Sequence, residues 1–165
     1  MRLEEFNTAT TAEAAALVRA CADVDRWVQA VVAGRPYATV ADAAAACESA
    51  AAPWTDAEID AALARHPRIG EKARGDDADA AMSRREQAGV ADAAVEVQAR
   101  LAAGNRAYEE RFGHVFLIRA AGRSPEEILA QLELRLGNTP EQERANAARN
   151  LREIAALRLE GMLGS

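Results

Sequence analysis

The residues with the most chemistry in this chain are His66, the adjacent pair Glu86 and Gln87, and Arg158. His66 opens the run HPRIGEK. Pro67 disfavours the α region for the residue before it, so the helix that starts near Thr55 is expected to end at His66. An imidazole at that point faces the negative end of the helix macrodipole, which favours the protonated form and suits a general acid. The same ring can instead cap the last free carbonyls, and spacing by itself leaves both roles open. Arg68, Lys72 and Arg74 follow closely, either as a solvated basic face or as the wall of an anion site.

The run SRREQAG, 83–89, pairs Ser83 with Glu86 at capping-box spacing, so a helix is expected to start there. Glu86 and Gln87 also offer a carboxylate acceptor beside an amide that both donates and accepts, a set able to grip a urea-like ligand. In the last helical stretch Leu151, Ile154, Ala155, Arg158 and Met162 recur at helical spacing, which puts Arg158 on the apolar stripe. A guanidinium there needs a partner, because an unpaired buried charge is very costly. An internal carboxylate, a snorkelling stem or a carboxylate ligand each meets that need. His114, at a loop entry after RFG, is expected at the surface or as a cap.

Other chemistries lack their signatures. No H-x-x-x-H, H-E-x-x-H or cysteine cluster offers a metal site, and neither a glycine-rich phosphate loop nor a G-x-S-x-G elbow occurs. Chemistry without a cofactor is therefore expected. The net charge of −6 argues against nucleic acid, whose binding draws on a basic face. No apolar run reaches the roughly 20 residues of a membrane span. The acidic N-terminal MRLEEFNTAT does not read as a signal peptide, and Cys21 and Cys47 lie far from C-x-x-C spacing. Two free, buried thiols and a cytoplasmic location are the expectation.

These residues must be held by helices. The 165 residues suffice for one domain, and only 4% are aromatic while alanine is abundant, a composition with a strong helical bias. Starts are marked by Thr10 with Glu13, Thr55 with Glu58, Ser83 with Glu86, Ser124 with Glu127, and Thr139 with Gln142. Ends are marked by Gly34, Gly70 and Gly137 or Asn138, with Gly104 as a possible interruption. The pattern predicts helices near 11–33, 39–50, 55–65, 83–111, 125–136 and 140–162. Between Glu71 and Met82 lies a charged, solvated loop. HVFLIRAAG, 114–122, reads as a short extended insert without a second strand to pair with, so its main-chain groups need other partners. The fold class is all-α, a single-domain helical bundle over 1–165 with one extended segment.

Taken together, HPRIGEK, SRREQAG, NRAYEERFGHVFLIRAAGRS and LREIAALRL resemble the decarboxylases of 2-oxo-4-hydroxy-4-carboxy-5-ureidoimidazoline (OHCU), which form (S)-allantoin in the last step of urate oxidation in purine catabolism. The resemblance runs from EFN (5–7) through Trp27 and RPY (35–37) to LRLEGML (157–163), with Tyr37 in place of an expected Phe, a change assigned to packing. It implies a helical bundle, a homodimer, an anionic ureide as substrate, and no metal or organic cofactor. It places the catalytic roles on His66, Glu86 and Arg158. Substrate contacts fall on Pro67, on Ser83, Arg84, Arg85, Glu86 and Gln87, and on Phe116, Leu117, Ile118, Arg119 and Ala120.

The implied chemistry is self-contained. The OHCU carboxylate sits on a carbon next to a C=N bond, so the substrate supplies the electron sink that a cofactor otherwise provides. Glu86 would hydrogen-bond the hydroxyl or an adjacent N–H, Arg158 would hold an anionic oxygen, and His66 would deliver a proton to one face. A decarboxylase of a related imino or keto acid, or a non-catalytic helical module that binds a ureide, is the alternative.

Overall fold

The computed structural model describes residues 1–50, 53–71 and 78–164. Lys72 and Arg74, with the rest of 72–77, lie outside the described residues, and residues 78–82, expected as the end of the charged loop, are helix. The chain divides into two compact units. One comprises Met1–Ala62 with Leu151–Ser165, and the other Leu63–Asn150.

The first unit holds α1 (Leu3–Thr8), α2 (Thr11–Cys21), α3 (Asp25–Ala33), α4 (Val40–Ala50) and nearly all of α5 (Asp56–Leu63). α2 packs on α3 and α3 on α4. Phe6, Val18, Trp27, Val28 and Cys47 are fully buried, and the Trp27 indole N–H donates to the Cys47 carbonyl at 2.9 Å. Cys21 and Cys47 are both buried, as expected, and neither is in a disulfide. The capping boxes at Thr10 and Thr55 form as read from the sequence. A further one, Thr39 with Asp42, opens α4.

Two expectations fail in this unit. The single helix over 11–33 is broken at Ala22–Val24, where Arg19 reaches Asp23 at 2.5 Å and Asp25 at 2.6 Å and Val24 is extended. Tyr37 is more than a packing change. It stacks on Phe6, and its hydroxyl donates to the Val31 carbonyl at 2.6 Å, a bond phenylalanine cannot make.

The second unit holds α6 (Ala78–Glu86), α7 (Ala88–Ala91), α8 (Val95–Phe112) and α9 (Pro125–Arg135). α10 (Pro140–Leu163) begins in this unit and ends in the first. The expected continuous helix over 83–111 is three helices. Ser83 lies inside α6 and is 3% exposed, so it caps nothing, and Glu86 ends that helix instead of standing three residues into one. Gly104 does not interrupt α8. A Cβ there would lie 2.6 Å from Leu132 Cδ2, so the missing side chain lets α8 and α9 approach closely. The boxes at Ser124 and Thr139 form as expected.

The apolar run 114–122 is neither helix nor strand. Phe116, Ile118 and Ala120 enter the core formed with Ile69, Leu101, Tyr108, Ile128 and Leu132. Burying a Phe or Ile stabilises the fold by about 1.5–3 kcal/mol, which ties the segment down without a sheet. His114, expected at the surface or as a cap, has its Nδ1 3.1 Å from the Val115 carbonyl. It is half-buried, with its ring edge-on to Tyr108 at 5.5 Å.

Candidate functional site

α5 ends at Leu63, and the His66 N–H still reaches the Leu63 carbonyl at 3.0 Å, so the imidazole is half-buried in the turn that closes the helix. The loop after Pro67 is anchored at three successive residues. Arg68 makes a two-pronged ion pair with Glu109 of α8, at 2.5 and 3.0 Å. The Ile69 carbonyl accepts from Asn105 Nδ2 at 2.8 Å. The Gly70 N–H donates to Gln87 Oε1 at 3.0 Å. Gly70 has φ +90°, a left-handed geometry that favours glycine. Arg68 thus pairs its charge with Glu109. Beside this loop opens a cleft of about 680 Å3 between Arg68, Ile69, Val90, Ala102 and Arg106, and none of His66, Ser83–Gln87, Phe116–Ala120 and Arg158 lines it.

Ser83 and Glu86 stand at i and i+3 on α6, and Gln87, just past its end, still donates its N–H to the Ser83 carbonyl at 3.2 Å. Ser83 is buried and Glu86 and Gln87 are half-buried, whereas Arg84 and Arg85 point to solvent. The Gly70–Gln87 bond ties this face to the loop that follows His66. It also commits the Gln87 amide oxygen, so a grip on a ligand falls to the –NH2 end.

The segment Phe116–Ala120 answers the question of its unpaired main chain through side chains. Arg135 Nη1 donates to the Leu117 carbonyl at 2.8 Å, and Asn150 Oδ1 accepts from the Arg119 N–H at 3.0 Å. The Arg119 side chain bends back toward the Ala121 carbonyl, 3.4 Å away. The Arg135 guanidinium lies over the Phe116 ring at 4.6 Å.

Sequence reasoning missed the centre of this arrangement. Glu143 is 0% exposed, and its carboxylate accepts from Arg135, Tyr108, Asn138 and Asn146. Burial pushes this carboxyl up, but the four donors outweigh it and take the pKa down to about 2. Burial, reinforced by the neighbouring carboxylate, drives the Tyr108 phenol well above its ordinary value. Glu143 stands one turn into a helix opened by Thr139 and Pro140, and its sequence context marks it only as an early acidic residue of that helix. The signal that could have found it is Arg135, a cation in the last turn of α9 a short loop away.

Arg158 belongs to the first unit. It is 4% exposed among the buried Ile154, Ala155 and Leu159, as its place on the apolar stripe predicted, and Nη1 lies 3.4 Å from the Cys21 carbonyl. His66, Pro67, Ser83–Gln87 and Phe116–Ala120 all belong to the second unit. Among the described residues no group of three or more His, Cys, Asp or Glu is gathered as a metal ion requires, and no helix is long and apolar enough to cross a membrane.

A family model of OHCU decarboxylase matches residues 7–160. A 2-oxo-4-hydroxy-4-carboxy-5-ureidoimidazoline decarboxylase of Amia calva is 46% identical over 59 residues, which is 36% of this chain and 34% of that protein. The chain thus spans about a third of the length of that relative in the matched region. In fold it is similar to a crystal structure of OHCU decarboxylase in the presence of (S)-allantoin, with a TM-score of 0.71, 22% identity, and coverage of 89% of this chain and 96% of that one. It is also similar to a crystal structure of (S)-allantoin synthase, with a TM-score of 0.70, 19% identity, and coverage of 96% and 53% respectively. Both likenesses agree with an all-α fold.

Proposed function

The chain belongs to the OHCU decarboxylase family, and from that premise we propose that it converts OHCU to (S)-allantoin without a cofactor. The observation that carries the reading is the hydrogen bond between Gly70 and Gln87, which joins the HPRIG loop to the Ser83–Glu86–Gln87 face in a chain whose family match spans residues 7–160.

The residues support a mechanism of two steps. Glu86 hydrogen-bonds the substrate hydroxyl or a neighbouring N–H, and the Gln87 –NH2 and the Ser83 side chain orient the ureido end. The C–C bond to the carboxylate breaks, carbon dioxide leaves, and the electron pair moves into the adjacent C=N. The hydroxyl proton passes by way of Glu86 to that ring nitrogen, leaving an enolate. His66 then adds a proton to the ureido-bearing carbon from one face, which restores the carbonyl and makes the S centre. Arg158 takes the role of holding an anionic oxygen, for which its planar fork is suited. The main chain of Phe116–Ala120 supplies donors and acceptors for the ring. Pro67 keeps His66 out of the helical conformation. Arg84 and Arg85 are exposed, and any part they have is in attracting the anion instead of touching it.

A homodimer and a cytoplasmic location complete the reading. Sedimentation of the full chain measures the first. The activity is tested by the loss of freshly generated OHCU, followed with carbon dioxide release, with and without protein. Acceleration well above spontaneous decay is the expected result, and loss at the background rate would overturn the assignment.

A further inference from the structure

Glu143 and Arg135 form an ion pair that is 0% and 5% exposed. Such a pair is a poor investment in stability, because desolvating two charges offsets much of their attraction. Its geometry shows another use. Three of the Arg135 hydrogen bonds run to Glu143, and they lock the guanidinium so that Nη1 is aimed at the Leu117 carbonyl. Asn150 is held from within its own helix. Its Nδ2 donates to the Asn146 carbonyl at 2.9 Å, and the Asn146 side chain donates to Glu143 Oε1 at 2.9 Å. The clamp on the Leu117 carbonyl therefore traces back to one buried carboxylate, and the clamp on the Arg119 N–H to the main chain of α10.

We propose that Arg135, organised by Glu143, and Asn150, held by α10, are positioning residues for substrate: they grip the Leu117 carbonyl and the Arg119 N–H along one edge and thereby present the Ile118 main-chain groups along the other. In an extended chain the main-chain groups of residues i and i+2 share an edge and those of i+1 face away, so two clamps at 117 and 119 fix the direction of the group between them. This inference rests on the decarboxylase reading, in which the segment meets the substrate.

The test is steady-state kinetics on OHCU with Arg135→Lys and Asn150→Leu. A lysine retains the charge facing Glu143 but lacks the fork that reaches Leu117 as well. Leucine at 150 removes the acceptor for Arg119 and leaves the ion pair intact. Each variant is expected to raise KM roughly fivefold or more, the effect of a hydrogen-bonding group misdirected, with kcat within about twofold. Thr10→Ala, which removes a helix cap in the other unit, lowers the unfolding midpoint and leaves KM unchanged. If Arg135→Lys does not fold, Asn150→Leu carries the test. An active wild type whose KM survives the substitutions would overturn this inference alone. An inert wild type would overturn the decarboxylase reading and the inference with it.

Discussion

Arg158 is a guanidinium held at 4% exposure on the apolar face of α10, next to the Cys21 carbonyl. Lysine at this position keeps the charge and loses the planar fork, so Arg158→Lys is expected to raise KM for OHCU by roughly 10-fold or more, as losing a hydrogen bond to a charged group does. An unchanged KM would make Arg158 a structural residue only. Its burial was legible because the i, i+3, i+4 stripe is a purely local signal. Ser83 shows where local signals mislead. S-x-x-E is satisfied at Ser83–Glu86, yet the helix begins earlier and Ser83 is buried within it. What decides there is packing, which a four-residue pattern does not contain. Tyr37 is similar, since its hydroxyl finds the Val31 carbonyl only because the chain folds back after α3.

The helices whose ends are set by their own caps were readable, and those set by distant partners were not. Thr10, Thr55, Ser124 and Thr139 each cap within four residues. The break between α2 and α3 needs Arg19 to meet Asp23 and Asp25, and the extended segment needs Arg135 and Asn150, up to 31 residues away. α8 and α9 supply a prediction of their own. Gly104→Ala gains about 1 kcal/mol of helix propensity. It also places a Cβ 2.6 Å from the Cδ2 and 3.1 Å from the Cγ of Leu132, a side chain at 0% exposure with no free room to turn. Overpacking costs about 1–3 kcal/mol, so the substitution is expected to lower the thermal unfolding midpoint. Leu132→Val in the same chain should recover part of the loss. A midpoint raised by Gly104→Ala would show that α9 yields readily.

Over the molecule as a whole, the buried cluster around Glu143 makes stability depend on pH at both ends. The Glu143 carboxyl is depressed from 4.5 to about 2, so its contribution is present above the ordinary value and is lost as pH falls through the depressed one. The Tyr108 phenol is raised, so its contribution holds below 10 and is lost as pH climbs past that value. In denaturant titrations Glu143→Gln should flatten the acid limb between pH 4.5 and about 2 relative to wild type. Equal slopes for the two proteins would contradict this. Because OHCU carries its own C=N electron sink, dialysis against a chelator is expected to leave turnover unchanged, and a rate restored by added metal would overturn the cofactor-free mechanism.

The central claim is that His66 moves a proton instead of ending a helix. A circular-dichroism time course on freshly generated OHCU, with wild type and with His66→Asn, addresses it directly, because uncatalysed decay gives racemic allantoin. Asparagine is well tolerated at helix C-termini, so the variant preserves a capping role while removing the acid. The account predicts rapid appearance of the S enantiomer with wild type, and a rate lower by roughly 10²–10⁴-fold with the variant. Full rate and S handedness retained by His66→Asn would contradict it and return His66 to the end of α5.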